Sequence, residues 1–257
     1  MAGLTLRALE YWFYSYRRTW RGTVVSSVLN PLLYLAAMGI GLGTLVDRDG
    51  AGRLDGGSYL AFVAPGLLAA TAMQVAAFES TYPVHGAIRW QRTYHAMLAT
   101  PLGVRDVLTG HLYWIAFRIG STGAVYLAVI AAFGVVRSPW AVLALPAALL
   151  TGMAFAAPIV AFAASQEKDA SFNAIFRFGV IPLFLFSGTF FPVSQLPDLV
   201  QPVAYLTPLW HGVDLCRGLV LGSATVAGAV VHVVYLAGWV LAGTGLARFS
   251  YRRRLFV

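Results

Sequence analysis

The sequence predicts an all-α, polytopic membrane protein with six transmembrane helices. Hydrophobic residues make up 59% of its 257 positions and charged residues only 11%, whereas about 25% of an average soluble domain is charged. Several uncharged runs also reach the roughly 20 residues that a helix needs to cross about 30 Å of hydrocarbon. These observations exclude a soluble globule, and they exclude a disordered chain because disorder requires low hydrophobicity and high charge.

Residues 1–23 are predicted to form an amphipathic helix that lies in the membrane interface. Arginines supply its polar positions, and large apolar side chains recur at helical spacing, namely Leu4, Leu6, Leu9, Trp12, Phe13 and Tyr16. This mixture of aromatic and basic residues is typical of interfacial helices. The alternative is a disordered basic leader, which would leave those six apolar side chains in water.

Six transmembrane helices follow, and together with residues 1–23 they form one domain over 1–257. The predicted spans are 24–46, 59–78, 113–136, 141–164, 179–196 and 226–247. The fifth is the weakest, because Pro182, Gly188 and Pro192 interrupt it. Between spans five and six, the proline-rich and apolar stretch from Gly188 to Leu221 predicts a re-entrant hairpin on the outer side, since irregular backbone survives at membrane depth only under protein cover.

The basic residues predict that both termini are cytoplasmic. Thirteen of the eighteen Lys and Arg residues fall on the side that holds the termini: Arg7, Arg17, Arg18, Arg21, Arg89, Arg92, Arg105, Lys168, Arg177, Arg248, Arg252, Arg253 and Arg254. Four fall on the other side, namely Arg48, Arg53, Arg137 and Arg217. Such a bias sets membrane orientation. The net charge of +8 is therefore a topology signal, and without a basic stripe interleaved with aromatic residues it does not indicate nucleic-acid binding.

Ionisable residues near the bilayer are functional candidates by default. Arg118 lies about 15 Å inside the membrane if its helix enters at Leu108, or extends to the cytoplasmic headgroups if the helix enters near Phe117. We favour the second geometry because it avoids a burial cost of about 2.5–3.5 kcal/mol. His232 is expected to serve helix packing, and the spacing of Asp214 and Arg217 predicts an ion pair.

The sequence contains no recognisable catalytic or metal-binding motif. Its only lysine, Lys168, lies outside any phosphate-binding loop, so the chain does not itself hydrolyse a nucleotide. The five histidines form no H-x-x-x-H pair and Cys216 is the only cysteine, so no metal site is predicted. A proton-driven carrier remains an alternative, although the acidic residues near spans all lie close to span ends.

The connection from Glu79 to Asp106 predicts a docking element on the cytoplasmic side. Apolar and basic side chains alternate irregularly between Ile88 and Leu98, and Thr100-Pro101-Leu102-Gly103 then breaks the helix. A short amphipathic helix followed by a turn can dock into the groove of a partner. A solvated connector is the alternative, but it would expose many large apolar side chains.

At the connection from Glu79 to Asp106 and the stretch from Gly188 to Leu221, the sequence resembles the ABC-2 type permeases. These are the membrane subunits of ATP-binding-cassette exporters, which include nodulation lipo-oligosaccharide and daunorubicin-type drug exporters. The resemblance covers nearly the whole chain. It rests on Phe78-Glu79, Gly86 to Arg92, Ala99 to Leu102, Leu185 to Pro192, Gln195 to Pro197, Thr207 to Leu209, His211 to Leu215 and Arg217-Gly218. The most specific part of this resemblance is the order of SGTFFP, QLP, P, H, D and R along residues 187–217.

The resemblance implies a permease subunit in a bacterial inner membrane that exports an amphipathic substrate, such as a drug, a lipid or a lipid-linked saccharide. Its partners would be two copies of an ATPase subunit, which bind ATP and Mg²⁺, a second permease, identical or paralogous, and membrane lipid. The implied ATPase-coupling residues are Glu79, Arg89, Arg92, Tyr94, Leu98, Pro101 and Leu102. The implied outer-gate residues are Ser187, Gly188, Phe190, Phe191, Pro192, Leu196, Pro197, Asp214 and Arg217.

Overall fold

The computed structural model describes residues 2–18, 20–43 and 58–255, and these residues form an all-α membrane protein. Four helical stretches among them are long and apolar enough to cross a bilayer: Tyr59–Arg89, Val104–Ala132, Pro139–Ser165 and Val226–Leu255. A shorter apolar stretch covers Ala170–Phe186. The predicted class, an all-α polytopic membrane protein, is therefore confirmed, with four long apolar helices among the described residues.

We number the α-helices of the described residues in chain order. They are α1 (Ala2–Tyr16), α2 (Trp20–Ala36), α3 (Tyr59–Ser80), α4 (Tyr82–Arg89), α5 (Thr93–Leu98), α6 (Val104–Ala132), α7 (Ala144–Ser165), α8 (Ala170–Ala174), α9 (Ile181–Phe186), α10 (Gln201–Tyr205), α11 (Pro208–Leu221) and α12 (Val226–Leu255). Two π-helical segments, Ala37–Leu42 and Ile175–Val180, continue α2 and join α8 to α9. Short 3₁₀ turns cover Pro139–Leu143, before α7, and Val193–Gln195.

The N-terminal region contains two helices where the sequence predicted one over 1–23. Helix α1 ends at Tyr16, Arg17 and Arg18 form a turn, and α2 begins at Trp20. Helix α1 packs along the start of α6, where Gly110 lies so close that a Cβ there would be 2.8 Å from Ala8 Cβ. Part of the apolar face of α1 is thus covered by protein, whereas Leu6 and Phe13 remain exposed. Helix α2 and its π segment, Trp20–Leu42, overlap the predicted first span, of which residues 44–46 lie outside the described residues.

Helix α7 is the centre of the bundle and contacts α3, α6, α11 and α12. Its sequence is rich in alanine, and small side chains let membrane helices approach closely. One close crossing is with α12, where a Cβ on Gly243 would lie 2.5 Å from Pro158 Cδ. Two residues further along α12, Gly245 has open space beside it. Glycine is therefore required at 243 by packing and not at 245.

The helices at the third and fifth predicted spans have other ends than those spans. The third, predicted as 113–136, is a helix from Val104 to Ala132 that begins after the extended residue Gly103 and ends before Gly134, which has φ of 70°. The fifth, predicted as 179–196, is helical only to Phe186, while its helix begins earlier, at Ala170. Gly188 adopts φ of 79°, a left-handed conformation that ends a helix and that glycine tolerates best.

Candidate functional site

The segment 82–102, which we call the coupling segment, has one buried side and one exposed side. In α4, Val84 and Ile88 are buried, whereas Arg89 and Trp90 at its end are exposed. The chain then turns at Arg92, whose φ of 52° is left-handed. Such a conformation is uncommon for a residue other than glycine. This turn separates α4 from α5 and produces the exposed corner.

Helix α5 is fixed to the bundle by a buried aromatic cluster. The Tyr94 hydroxyl forms a hydrogen bond with His111 Nδ1 of α6, and Tyr251 of α12 donates its hydroxyl hydrogen to Tyr94 at 3.2 Å. Burial raises the pKa of the Tyr94 phenol well above its ordinary value, so it stays a neutral hydroxyl. Tyr94 therefore connects the coupling segment to two long helices.

The predicted coupling residues divide into exposed and internal groups. Arg89, Arg92 and Pro101 are exposed, and Leu98 and Leu102 are partly buried against the core. Tyr94 and Glu79 lie inside the protein, with the Glu79 side chain only 14% exposed. The two internal residues can act on a partner only by positioning other groups, whereas Arg89, Arg92 and Pro101 can touch it directly.

Glu79 and Arg118 form the best-buried ion pair of the described residues. Arg118 Nε donates to Glu79 Oε1 at 3.0 Å, Trp114 Nε1 donates to Glu79 Oε2 at 3.3 Å, and Arg118 Nη1 donates to Tyr16 Oη at 3.3 Å. The Arg118 side chain is 12% exposed. Arg118 is therefore paired inside the protein, because a carboxylate on the neighbouring helix α3 is within reach and satisfies its charge.

Arg217 attaches the turn after α9 to helix α3. Its Nη2 donates to the carbonyl oxygen of Gly188 at 2.7 Å, and its Nε donates to that of Phe62 at 3.0 Å. The guanidinium carbon also lies 3.8 Å from the centroid of the Phe62 ring, a cation–π contact. Pro65 in α3 has no N–H, so the carbonyl of Ala61, next to Phe62, has no helical donor from that position. A buried cation thus holds irregular backbone against a helix.

The other predicted gate residues lie on both faces of the same irregular stretch. Ser187 and Gly188 are buried, Phe190 packs against Phe184 with ring centroids 5.0 Å apart, and Leu196 forms a small cluster with Val193, Ala204, Phe191 and Trp210. Pro192 is half-buried and Pro197 is exposed. The structure therefore brings most of these residues together around the turn held by Arg217, with Asp214 on the neighbouring side of α11.

Asp214 pairs with a histidine where the sequence predicted Arg217. Asp214 Oδ2 lies 3.1 Å from His232 Nε2, and His232 Nδ1 lies 2.8 Å from His211 Nδ1. The hydrogen bond from His232 lowers the pKa of the Asp214 carboxyl, and burial lowers the pKa of His211 to about 4. His232 packs between helices as expected, and it also links two ionisable residues of α11.

Three residues that these sites use were not named as site residues from the sequence. Trp90 is 60% exposed at the corner of the coupling segment. Glu167 lies 3.5 Å from Arg89 and 3.8 Å from Arg254, which joins the coupling segment to the end of α12. Trp90 and His211 lie in segments that carry the family resemblance, whereas no local signal marks Glu167, because its partners are distant in sequence. No three His, Cys, Asp or Glu side chains in residues 2–18, 20–43 and 58–255 are grouped to hold a metal ion.

Comparison with known proteins identifies the family. Residues 7–221 match the family described as "ABC-2 type transporter". The chain is 35% identical to "Nodulation protein J" of Rhizobium leguminosarum bv. trifolii over 95% of this chain and 94% of that protein. It is 34% identical to the protein of the same name from Rhizobium meliloti (strain 1021), over 95% and 94% of the two chains. It is 25% identical to "Inner membrane transport permease YadH" of Escherichia coli (strain K12), over 90% and 91%. The chain belongs to the ABC-2 type transporter family: it is the membrane permease subunit of an ATP-driven exporter, and a separate ATPase subunit binds and hydrolyses the nucleotide.

Proposed function

We propose that this chain is one half of an inner-membrane exporter in which two six-span permeases and two ATPase subunits move an amphipathic molecule out of the cytoplasm. The observation that carries the proposal is the two-sided coupling segment. Its inner side is fixed to α6 and α12 through Tyr94, and its outer side presents Arg89, Trp90, Arg92 and Pro101. An exposed, rigidly supported corner of this kind suits a protein partner, since aromatic and arginine side chains are enriched at interfaces.

The proposed topology has six spans with both termini in the cytoplasm. Besides the four long apolar stretches, α2 with its π segment and the Ala170–Phe186 stretch supply the two further crossings. Contacts support the placement of the termini at the end of the bundle that carries the coupling segment: Thr5 of α1 donates to Asp106, and Arg254 of α12 reaches Glu167. Helix α1 would lie along the membrane interface at that end.

The stretch 187–207 forms the proposed outer gate as a re-entrant hairpin. It has the irregular backbone, the prolines and the buried polar anchor that such an element requires, since non-helical backbone at membrane depth must be covered by protein. Phe190, Phe191 and Tyr205, together with Trp210 at the start of α11, give it an aromatic lining suited to an amphipathic substrate. Similarity to nodulation proteins favours a lipid-linked saccharide over a drug.

In the proposed cycle, ATP-driven closure of the two ATPase subunits displaces the coupling segment. Tyr94 transmits this displacement to α6 and α12 because it is hydrogen-bonded to both helices. Helix α12 contacts α11 through His232, which joins Asp214 and His211, and it contacts the end of the hairpin through Tyr235, whose hydroxyl donates to the carbonyl oxygen of Leu206. The same helix thus reaches both the ATPase side and the gate. ATP is the energy source, so the ionisable residues need no proton-carrying role.

The proposal is tested by the ATPase activity of the assembled transporter in liposomes. Leu98→Asp, Pro101→Asp and Trp90→Ala change the coupling segment, and Pro197→Asp is the control at the exposed proline of the hairpin. We expect the first three variants to lose copurification with the ATPase or its permease-dependent activity, while Pro197→Asp still binds the ATPase. Normal binding and activity in all three coupling variants would remove this segment from the interface.

A further inference from the structure

A pair of histidines connects α11 to α12 beside the end of the stretch 187–207. Nδ1 of His211 lies 2.8 Å from Nδ1 of His232, and Nε2 of His232 lies 3.1 Å from Oδ2 of Asp214. Three residues further along α12, the Tyr235 hydroxyl donates to the carbonyl oxygen of Leu206, and the Tyr235 ring stacks on His211 with centroids 3.9 Å apart. We call the His211–His232 pair the histidine contact. One face of α12 therefore holds both α11 and the residues that lead into it.

The histidine contact has room for one proton between its two nitrogens. At 2.8 Å, one Nδ1 must donate an N–H group and the other must accept with its lone pair. A charged imidazolium donates from both of its nitrogens. If both histidines are charged, two N–H groups point at each other and the hydrogen bond is lost. The geometry therefore permits at most one charged histidine in this pair.

The surroundings of the two rings differ, and they keep His211 as the neutral partner. His232 lies beside the Asp214 carboxylate, and an opposite charge favours a charged imidazole. His211 lies against the rings of Trp210 and Tyr235. Burial, followed by the neighbouring His232, lowers the pKa of His211 to about 4, which outweighs the opposite effects of Asp214 and of the backbone before α11. The second proton of the pair therefore arrives only in acid.

Water reaches the histidine contact through a cavity of about 200 Å³ where α11 turns into α12. Asp214, His232, Ser223 and Thr225 line this cavity, and the Asp214 side chain is 51% exposed. Arg217 lines it too, but two of its N–H groups donate to carbonyl oxygens of α3 and of the turn after α9. A proton can therefore arrive from the aqueous phase on this side without passing through the bundle.

Few other ionisable groups lie near the histidine contact. Helix α7 and the turn Pro139–Leu143 have none, and the remaining ones at this end of α3, α10, α11 and α12 and before that turn are Tyr59, Tyr205, Asp214, Cys216, Arg217, Tyr235 and Arg137. Arginine keeps its charge in acid, while phenols and thiols stay neutral. The hydrogen bond from His232 lowers the pKa of Asp214, so this carboxylate also keeps its charge. In moderate acid, the change in charge is therefore confined to the two histidines.

We propose that the histidine contact is an acid-sensitive tie that holds α11 and the end of the stretch 187–207 against α12, and that it releases them when both histidines are charged. The proposal rests on the proposed function for its meaning, because it names a regulation of the proposed outer gate by acidity on the outer side. The release itself requires neither the ATPase nor a substrate, and no proton crosses the membrane in it.

Hydrogen exchange of the permease in phospholipid nanodiscs measures the release. An ordinary histidine has a pKa of about 6.5, against about 4 for His211 in the contact. A drop from about pH 7 to about pH 4.5 should therefore favour the released state by up to about 50-fold. After correction for the intrinsic exchange rate, we expect protection in 204–214 and 230–236 to fall at least about tenfold, while protection in 144–165 is kept.

Three variants identify the groups that respond. His211→Gln keeps an acceptor for His232 and cannot become charged, so its protection should not depend on pH. Asp214→Asn removes the charge that favours a charged His232, so its response should move to a more acid pH. His95→Gln, at an exposed histidine of the coupling segment, is the matched control and should respond as the wild type does. No acid response in the wild type, the same response in His211→Gln, or an equal loss of protection in 144–165 would overturn the proposed release.

ATPase measurements separate this proposal from the proposed function. In proteoliposomes whose ATPase subunits face a bath at constant neutral pH, the lumen corresponds to the outer side of the permease. Acidifying the lumen to about pH 4.5 should raise permease-dependent ATPase activity at least about twofold in the wild type and in His95→Gln, and should leave His211→Gln unchanged. An acid response in hydrogen exchange without this rise would overturn the regulation of the gate. Normal ATPase binding and activity in the coupling variants, such as Trp90→Ala, would overturn the coupling proposal and leave the acid response of hydrogen exchange intact.

Discussion

Replacement of Arg118 by Met should destabilise the permease far more when Glu79 is present than when it is replaced as well. Arg118→Met removes the 3.0 Å bond to Glu79 and the 3.3 Å bond to Tyr16, and it leaves the carboxylate with only the Trp114 N–H at 3.3 Å. With side chains only 12% and 14% exposed, removal of one partner leaves a buried charge, which costs about 3–5 kcal/mol.

The companion variants give the rest of a double-mutant cycle. Glu79→Gln keeps an acceptor but loses the charge, and the loss of a charge-assisted hydrogen bond costs about 1.5–3 kcal/mol. Glu79→Gln/Arg118→Met contains no unpaired charge, so its cost should fall below the sum of the single costs by about 2 kcal/mol or more.

Reversible unfolding of the permease in mixed micelles measures the four free energies of unfolding. Glu167→Gln is the matched control, because the Glu167 side chain is 76% exposed, and it should change the free energy by less than about 1 kcal/mol. Additivity of the Glu79 and Arg118 variants within about 0.5 kcal/mol would refute the reasoning, since it would mean that the two charges do not stabilise each other.

Three further results follow from the packing and the polar contacts. Gly243→Ala should lower the free energy of unfolding by about 1–3 kcal/mol through overpacking against α7, whereas Gly245→Ala, with open space around it, should not; equal effects would contradict this. The free energy of unfolding of the wild type should fall as the pH drops from 6.5 towards 4, because His211 has a lowered pKa of about 4 and the unfolded chain binds the proton first. His211→Gln should show a shallower dependence of that free energy on pH, and an unchanged dependence would rule out this origin. Arg217→Gln should raise amide hydrogen exchange in 187–197 at least about tenfold, since charge-assisted bonds contribute about 1.5–3 kcal/mol each; unchanged exchange would show that Arg217 does not hold the turn.

Composition and hydropathy were sufficient to predict the helical class and the positions of the long apolar helices. Helix ends were harder to predict, because they depend on single backbone conformations. Gly188 and Gly134 end helices with a positive φ, and the apolar sequence on either side does not reveal this. The split between α1 and α2 at Arg17 and Arg18 was missed for a similar reason.

Partners of charged residues could not be predicted from local spacing. Asp214 and Arg217 are three residues apart, yet Asp214 pairs with His232, and the guanidinium bonds to carbonyl groups of α3 and of the turn after α9. The pairing of Arg118 with Glu79 was not predicted, because Glu79 is 39 residues away and its position on the adjacent helix face depends on tertiary packing. The coupling segment was predicted as a region, but which of its residues face outward depended on the turn at Arg92.

Site-specific cross-linking between the permease and its ATPase tests the central claim most directly. The one native cysteine, Cys216, is fully buried, so a cysteine introduced at Trp90 or Pro101 should be the reactive position. With a short bismaleimide and a matching cysteine scan of the ATPase surface, Trp90→Cys and Pro101→Cys should form cross-links to the ATPase, and Leu199→Cys, 90% exposed in the native chain, should form none. Cross-links from Leu199→Cys, or none from either coupling-segment cysteine, would contradict the account.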